Sequence, residues 1–209
     1  MPSRAELEAA VHKSRQTLGA AHPDTLTAML DLAEVLWGEG QLVRTRQLEE
    51  AVVAGRRALY GEAHFDTLKA LGKLATTIGQ QGNLPEARRL QEQVVTGMRA
   101  LYGDEGRETL RAVNNLAGTV AALGDGAEAR TLLDSTLATL TRIFGEEDGD
   151  TLFAMGNLAA LLWQEGDHDE AYWLQHQVAE TRRRLAGDDD RATRNALAVL
   201  DAMTRVAGF

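Results

Sequence analysis

From Thr67 to Gly82 the apolar residues Leu68, Leu71, Leu74, Ala75 and Ile78 recur at the three-and-four spacing that gathers them on one face of a helix. This predicts a helix, here called A, of about four turns that ends at Gly82. The stretch "LPEARRLQEQVVTGMRALYG", Leu84 to Gly103, predicts a second helix, B. Its buried side would be Leu90, Val94, Val95, Met98 and Leu101, and Pro85 falls in the first turn, where a missing N–H is tolerated. The pattern then repeats. Gly19, Gly61, Gly103, Gly145 and Gly187 stand 42 residues apart, and so do Thr25, Thr67, Thr109, Thr151 and Thr193. Leu32, Leu74, Leu116, Leu158 and Leu200 keep the same step, as do Gly40, Gly82, Gly124 and Gly166. An unbroken period of this length implies stacked helix hairpins, each burying its apolar face against the next.

Between hairpins the chain reads as punctuation. Gly61 and its equivalents follow a long helix, where a residue with positive φ closes the last turn. Asp24, Asp66, Glu108 and Asp150 open the next helix, at the end of its dipole that favours negative charge. Ala33, Ala75, Ala117 and Ala159 on the A helices, with Ala87, Ala129 and Ala171 on the B helices, mark close crossings. The first unit departs from the pattern with Arg44 and Thr45 where others have Glu-Ala, and Asp201 replaces the Ala of the last A helix. The expectation is a single all-α solenoid over 1–209 of about ten antiparallel helices. It divides into a lone B-type helix (1–19), four helix pairs (20–61, 62–103, 104–145, 146–187) and a lone A-type helix (188–209).

Composition narrows the function class. With 44% apolar and 25% charged residues among 209, the chain suits a folded globular protein. A formal net charge of −9 opposes a phosphate backbone, so nucleic acid is not an expected partner. No cysteine is present, which removes disulfides, thiolate metal sites and cysteine nucleophiles. Arg4, Glu6, Glu8, Lys13 and Arg15 crowd the first helix, unlike a signal-peptide core, and no run approaches the roughly 20 apolar residues of a membrane span. A cytoplasmic location and no membrane contact are the expectation.

Segments such as "LGAAHPDTLTAMLDLAEVLWGEG" and "TLRAVNNLAGTVAALGDGAEARTLLDSTLATLTRIFG" resemble the tetratricopeptide repeat. More specifically they resemble its 42-residue variety, found in kinesin light chains. The resemblance implies a right-handed α-α superhelix that acts as a protein-protein interaction module, an adaptor or scaffold. Its A helices would line a concave groove for a peptide or helix of another protein. The implied groove residues are Thr27 and Asp31 (with Glu34); Lys69, Lys73, Thr76 and Gln80; Arg111, Asn114 and Asn115 (with Gly118); and Phe153, Asn157 and Gln164. Only three of the 22 basic residues are lysine, and two of them, Lys69 and Lys73, fall on this stripe with Arg111 one period after Lys69. That favours a ligand bearing acidic residues or a free carboxylate, while Asn115 and Asn157 would hold its backbone.

Two further functions remain open at this level: a homo-oligomer assembled through the terminal helices by Leu197, Leu200, Met203 and Val206, and the regulatory part of a larger signalling protein. Catalysis is not expected, because no acid-base or nucleophile constellation, cofactor loop or metal set stands out. His22 and His64 lie one repeat apart, too far to share a metal. His168 and His176 share one helix without a third ligand. Trp37 and Trp163 read as core, and Tyr60, Tyr102 and Phe144 as packing beneath the loops. Arg15, Arg57, Arg99 and Arg183 recur near helix ends, where a cation suits the dipole.

Overall fold

The structure is a computed structural model that describes residues 2–207. Among them are ten α-helices and no strand: α1 (Arg4–Leu18), α2 (Pro23–Gly38), α3 (Leu42–Tyr60), α4 (Phe65–Gln80), α5 (Leu84–Tyr102), α6 (Arg107–Ala122), α7 (Gly126–Phe144), α8 (Gly149–Glu165), α9 (His168–Ala186) and α10 (Arg191–Ala207). The even-numbered helices are the A type and the odd-numbered the B type. The outermost positions of the two terminal segments, residues 1, 208 and 209, lie outside the described residues.

Two glycine conformations end the helices. Gly61, at φ 87° and ψ 172°, closes α3 by donating its N–H to the Arg57 carbonyl, a conformation that side chains other than glycine's seldom adopt. Gly166, at φ 90° and ψ 5°, is a left-handed cap on α8. The N–H of the next residue, Asp167, reaches back five residues to the Leu162 carbonyl at 2.9 Å and satisfies it at the helix end.

Helix starts use side-chain acceptors. His22 Nδ1 accepts from the Asp24 N–H at 3.2 Å and His64 Nδ1 from the Asp66 N–H at 3.1 Å, while Asp148 does the same for Asp150 at 3.0 Å. The repeated threonine follows one residue later. Thr25, Thr67, Thr109, Thr151 and Thr193 are all completely buried. They therefore fill space at the base of each A helix.

The chain divides into two compact units, one reaching Ala112 and one beginning at Val113. In the first, α1 to α5 pack in sequence, each helix against the next. Leu26, Met29, Leu36, Val52, Leu68, Leu71, Ile78, Leu90, Val94 and Met98 form its core, with Ala33, Ala75 and Ala87 at the helix crossings. In the second, α7 packs on α8, α8 on α9 and α9 on α10. Its core draws on Leu133, Leu140, Leu158, Leu162 and Val178, with Ala117, Ala129, Ala159 and Ala171 fully buried.

Leu101 differs from its expected burial and is exposed. It lies in the last turn of α5, one residue from the end of the helix.

Candidate functional site

On each A helix, burial leaves one open stripe at i, i+4, i+7 and i+11, the spacing of neighbours along a single face. On α4 these positions are Lys69, Lys73, Thr76 and Gln80. The intervening Ala70, Leu71, Leu74, Ala75, Thr77 and Ile78 are buried, so packing aims the four polar side chains outward. Thr27, Asp31 and Glu34 hold the same register on α2 and are exposed. Arg111 is exposed on α6.

The α2 and α4 stripes meet: Lys73 Nζ lies 3.5 Å from Glu34 Oε2. Lys69 extends over the Phe65 ring, 5.8 Å from its centroid, and Phe65 in turn meets Tyr102 edge to face. The Thr27 and Thr76 hydroxyls donate to the carbonyls of Pro23 and Gly72, which leaves their oxygens available as acceptors. The surface of this unit is therefore mixed: the Glu34 carboxylate of α2 borders Lys73 of α4, and Arg111 adds a cation on α6.

In the second unit, Asn115 on α6 is exposed, as are Phe153 and Gln164 on α8, and Asn157 is half-buried. Phe153 leaves 47% of its surface open, unusual for a phenylalanine with no place in the core. Asn114 departs from the expected groove. Only 2% exposed, it sits among buried Leu110, Val113 and Ala117, one 100° step away from the open face that carries Arg111 and Asn115. Its amide nitrogen and oxygen both lack hydrogen-bond partners.

Other expectations sort similarly. Trp37 is exposed instead of forming core, whereas Trp163 is half-buried and packs on His168 at 4.3 Å between ring centroids. Tyr60 stacks on His64 at 4.6 Å but keeps an exposed edge. No group of three or more His, Cys, Asp or Glu that could hold a metal occurs among the described residues.

Sequence reasoning missed Glu49, a carboxyl of α3 that is 4% exposed beneath the Lys73 end of the stripe. Burial pushes it above the usual carboxylate range, and the neighbouring Thr77 hydroxyl and Lys73 ammonium pull the other way. Glu49 Oε2 and Thr77 Oγ1 nevertheless complete no hydrogen bond. The signal was in the register: Glu49, Gln91, Leu133 and Gln175 share one position, and all four are buried.

Family models described as the tetratricopeptide repeat match residues 25–66, 67–108 and 108–172. The chain belongs to the tetratricopeptide repeat family. Two crystal structures of a Podosopora anserina kinesin-light-chain-type protein with nearly identical TPR-like repeats are similar to it. One matches at 27% identity and a TM-score of 0.69 over 87% of this chain and 86% of that one. The other matches at 27% identity and a TM-score of 0.66 over 88% and 87%. These matches place this tetratricopeptide protein with the kinesin-light-chain-like kind. BtubC (BKLC) from P. vanneervenii shares the fold, at 19% identity and a TM-score of 0.71 over 98% of this chain and 83% of that one. No curated protein sequence matches. No helix among the described residues is long and apolar enough to cross a membrane.

Proposed function

We propose that this tetratricopeptide protein is a cytoplasmic adaptor that holds an extended or helical segment of another protein on the open A-helix stripes. The single observation that carries this reading is the outward cluster of Lys69, Lys73 and Arg111 in a chain whose net charge is −9. Lys69, Lys73 and Arg111 together carry the recognition, with Lys73 half-buried and close to Glu34. The ligand segment presents a side-chain or terminal carboxylate to them, where a desolvated charge-assisted hydrogen bond contributes roughly 1.5–3 kcal/mol. Asp31 beside them favours a segment that also carries a cation. In the second unit, Asn115 and Asn157 offer side-chain amides to a peptide backbone, and Phe153 offers an apolar surface.

Assembly through the terminal helices has less support. Leu197 and Leu200 of α10 are already packed on Leu152, Val178, Ala179 and Ala196, and Met203 is buried. What α10 turns outward includes Asp201, paired with Arg205 at 2.6 Å.

The test is fluorescence anisotropy with a labelled acidic peptide of alternating Asp and Gly. Lys69→Gln with Arg111→Gln should weaken binding about tenfold or more, equivalent to about 1.4 kcal/mol. Lys13→Gln, which changes the third lysine at an exposed site on α1, serves as control and should leave it unchanged. Equal losses in both variants would reduce the effect to net charge and remove the stripe as the binding site.

A further inference from the structure

The B helices carry an arginine near their C-termini at one fixed register: Arg15, Arg57, Arg99 and Arg183, with Thr141 as the exception. Three of these arginines pair with the acidic residue five positions later, just past the capping glycine. Arg57 binds Glu62 at 2.5 Å, Arg99 binds Asp104 at 2.5 Å and Arg183 binds Asp188 at 2.8 Å. Arg15 is followed at that spacing by Ala20, and its guanidinium turns instead to the Met29 sulfur at 3.5 Å. In the remaining repeat the acid is present, as Glu146, but Thr141 supplies no guanidinium. Among the described residues Glu146 has no ion-pair partner, while its neighbour Glu147 is taken by Arg184 at 2.6 Å.

At that place the second unit opens a cavity of about 320 Å³. It lies between α7 and α9 with α8 as its floor. Leu137, Leu152 and Met155 give it an apolar base, and Thr141 and Glu146 line it together with Trp173. Met155 is the register counterpart of Met29, the residue that Arg15 contacts. Trp173 replaces Gln47, Arg89 and Thr131 of the other repeats and is 57% exposed. An indole face, a thioether and a carboxylate without an ion-pair partner stand around one opening, groups that suit a flat cation with an aliphatic stem.

We propose that this cleft is a second binding site, which takes the guanidinium of an arginine side chain from a partner polypeptide. The guest replaces the intramolecular arginine that this repeat lacks. Its guanidinium pairs with Glu146 and stacks on Trp173, while its methylenes cover Met155 and Leu152. Arginine suits the site better than lysine because its planar group stacks and bonds at once, as the repeat's own arginines bond their acids. The site is on the B-helix side of the second unit and shares no residue with the A-helix stripe. It therefore stands or falls separately from the function proposed above.

The test follows the three indole N–H signals of Trp37, Trp163 and Trp173 by NMR during titration with acetyl-Gly-Arg-Gly-amide. The matching citrulline peptide has the same shape without the charge. The arginine peptide should move the Trp173 signal alone, and the citrulline peptide should bind at least about tenfold more weakly. Thr141→Arg, which restores the repeat's own guanidinium, should abolish the shift. Thr131→Arg adds the same charge at an exposed position of α7 and should preserve it. Equal binding of the two peptides, or equal loss in the two arginine variants, would overturn the proposal. So would self-association of the unmodified protein that Thr141→Arg abolishes, since the guest would then be a second copy of this chain.

Discussion

Glu49 occupies a buried position where two sibling repeats place glutamine. Gln175 shows how a polar side chain fits that register: its amide Nε2 donates to the Ala196 carbonyl at 2.8 Å inside the core. A carboxylate cannot donate, so Glu49 could make such a bond only with its proton on, and its burial raises its pKa. Below the ordinary carboxyl pKa both folded and unfolded chains hold that proton, and no ionisation penalty arises. As pH rises through that value the unfolded chain ionises while folded Glu49 does not, so stability falls until the folded carboxyl also ionises. Glu49→Gln removes this loss. Denaturant melts should show the variant more stable by about 1 kcal/mol at neutral pH, with the gap closing towards pH 4. A gap independent of pH would mean that the residue's charge is irrelevant. Gly106 makes the opposite point about copying sibling repeats. It stands where His64 and Asp148 cap their helices, yet a Cβ there would lie 2.6 Å from the Tyr102 carbonyl oxygen. Gly106→Asp should therefore destabilise by about 1–3 kcal/mol, although it restores the repeat's own capping residue.

Individual helices were largely legible in the sequence because their boundaries are set by local chemistry. Gly61 and Gly166 occupy backbone conformations that other residues resist, and Pro85 marks a first turn, so stops and starts could be read without knowing the tertiary structure. The open stripe on α4 was legible for the same reason, since five apolar positions fix which way Lys69 and Lys73 point. What local pattern does not resolve is angle and length. Asn114 and Asn115 are adjacent and chemically identical, and a single residue step decides that one is core and the other surface. Leu101 and Trp37 sit in the last turns of their helices, where the apolar period does not say what covers them. The capping role of His22 and His64 was also hidden, because imidazole is an uncommon acceptor at a helix start. His64→Ala removes both that acceptor and the stack on Tyr60, so it should cost about 1 kcal/mol in thermal or denaturant unfolding. His64→Asp, which reproduces the Asp148 arrangement, should recover most of that loss.

Across the whole molecule, burial is graded towards the terminal helices, and that grading controls both local stability and association. α1 buries Leu7 and Val11, whereas α4 in the same unit buries eight residues. In a stack stabilised by nearest-neighbour interfaces, opening free energy follows such differences, so amides of α1 should exchange at least about tenfold faster than those of central α4. Equal protection would indicate that α1 is covered by something beyond its contact with α2. At the other end, α10 carries the A-helix pattern with two changes on the side where a B helix packs elsewhere. Asp201 replaces the register of buried Ala159, and Thr204 that of buried Leu162. Both changes substitute polar groups at positions that are fully apolar in α8, and the Asp201–Arg205 pair keeps that side hydrated. The polar side thus works against edge-to-edge stacking of copies. Asp201→Ala with Thr204→Leu rebuilds the internal pattern on α10. Sedimentation equilibrium over a wide concentration range should show the double variant self-associating more strongly than the parent chain. If the variant associates no more than the parent, Asp201 and Thr204 are not what limits stacking at α10, and the polar-cap explanation fails.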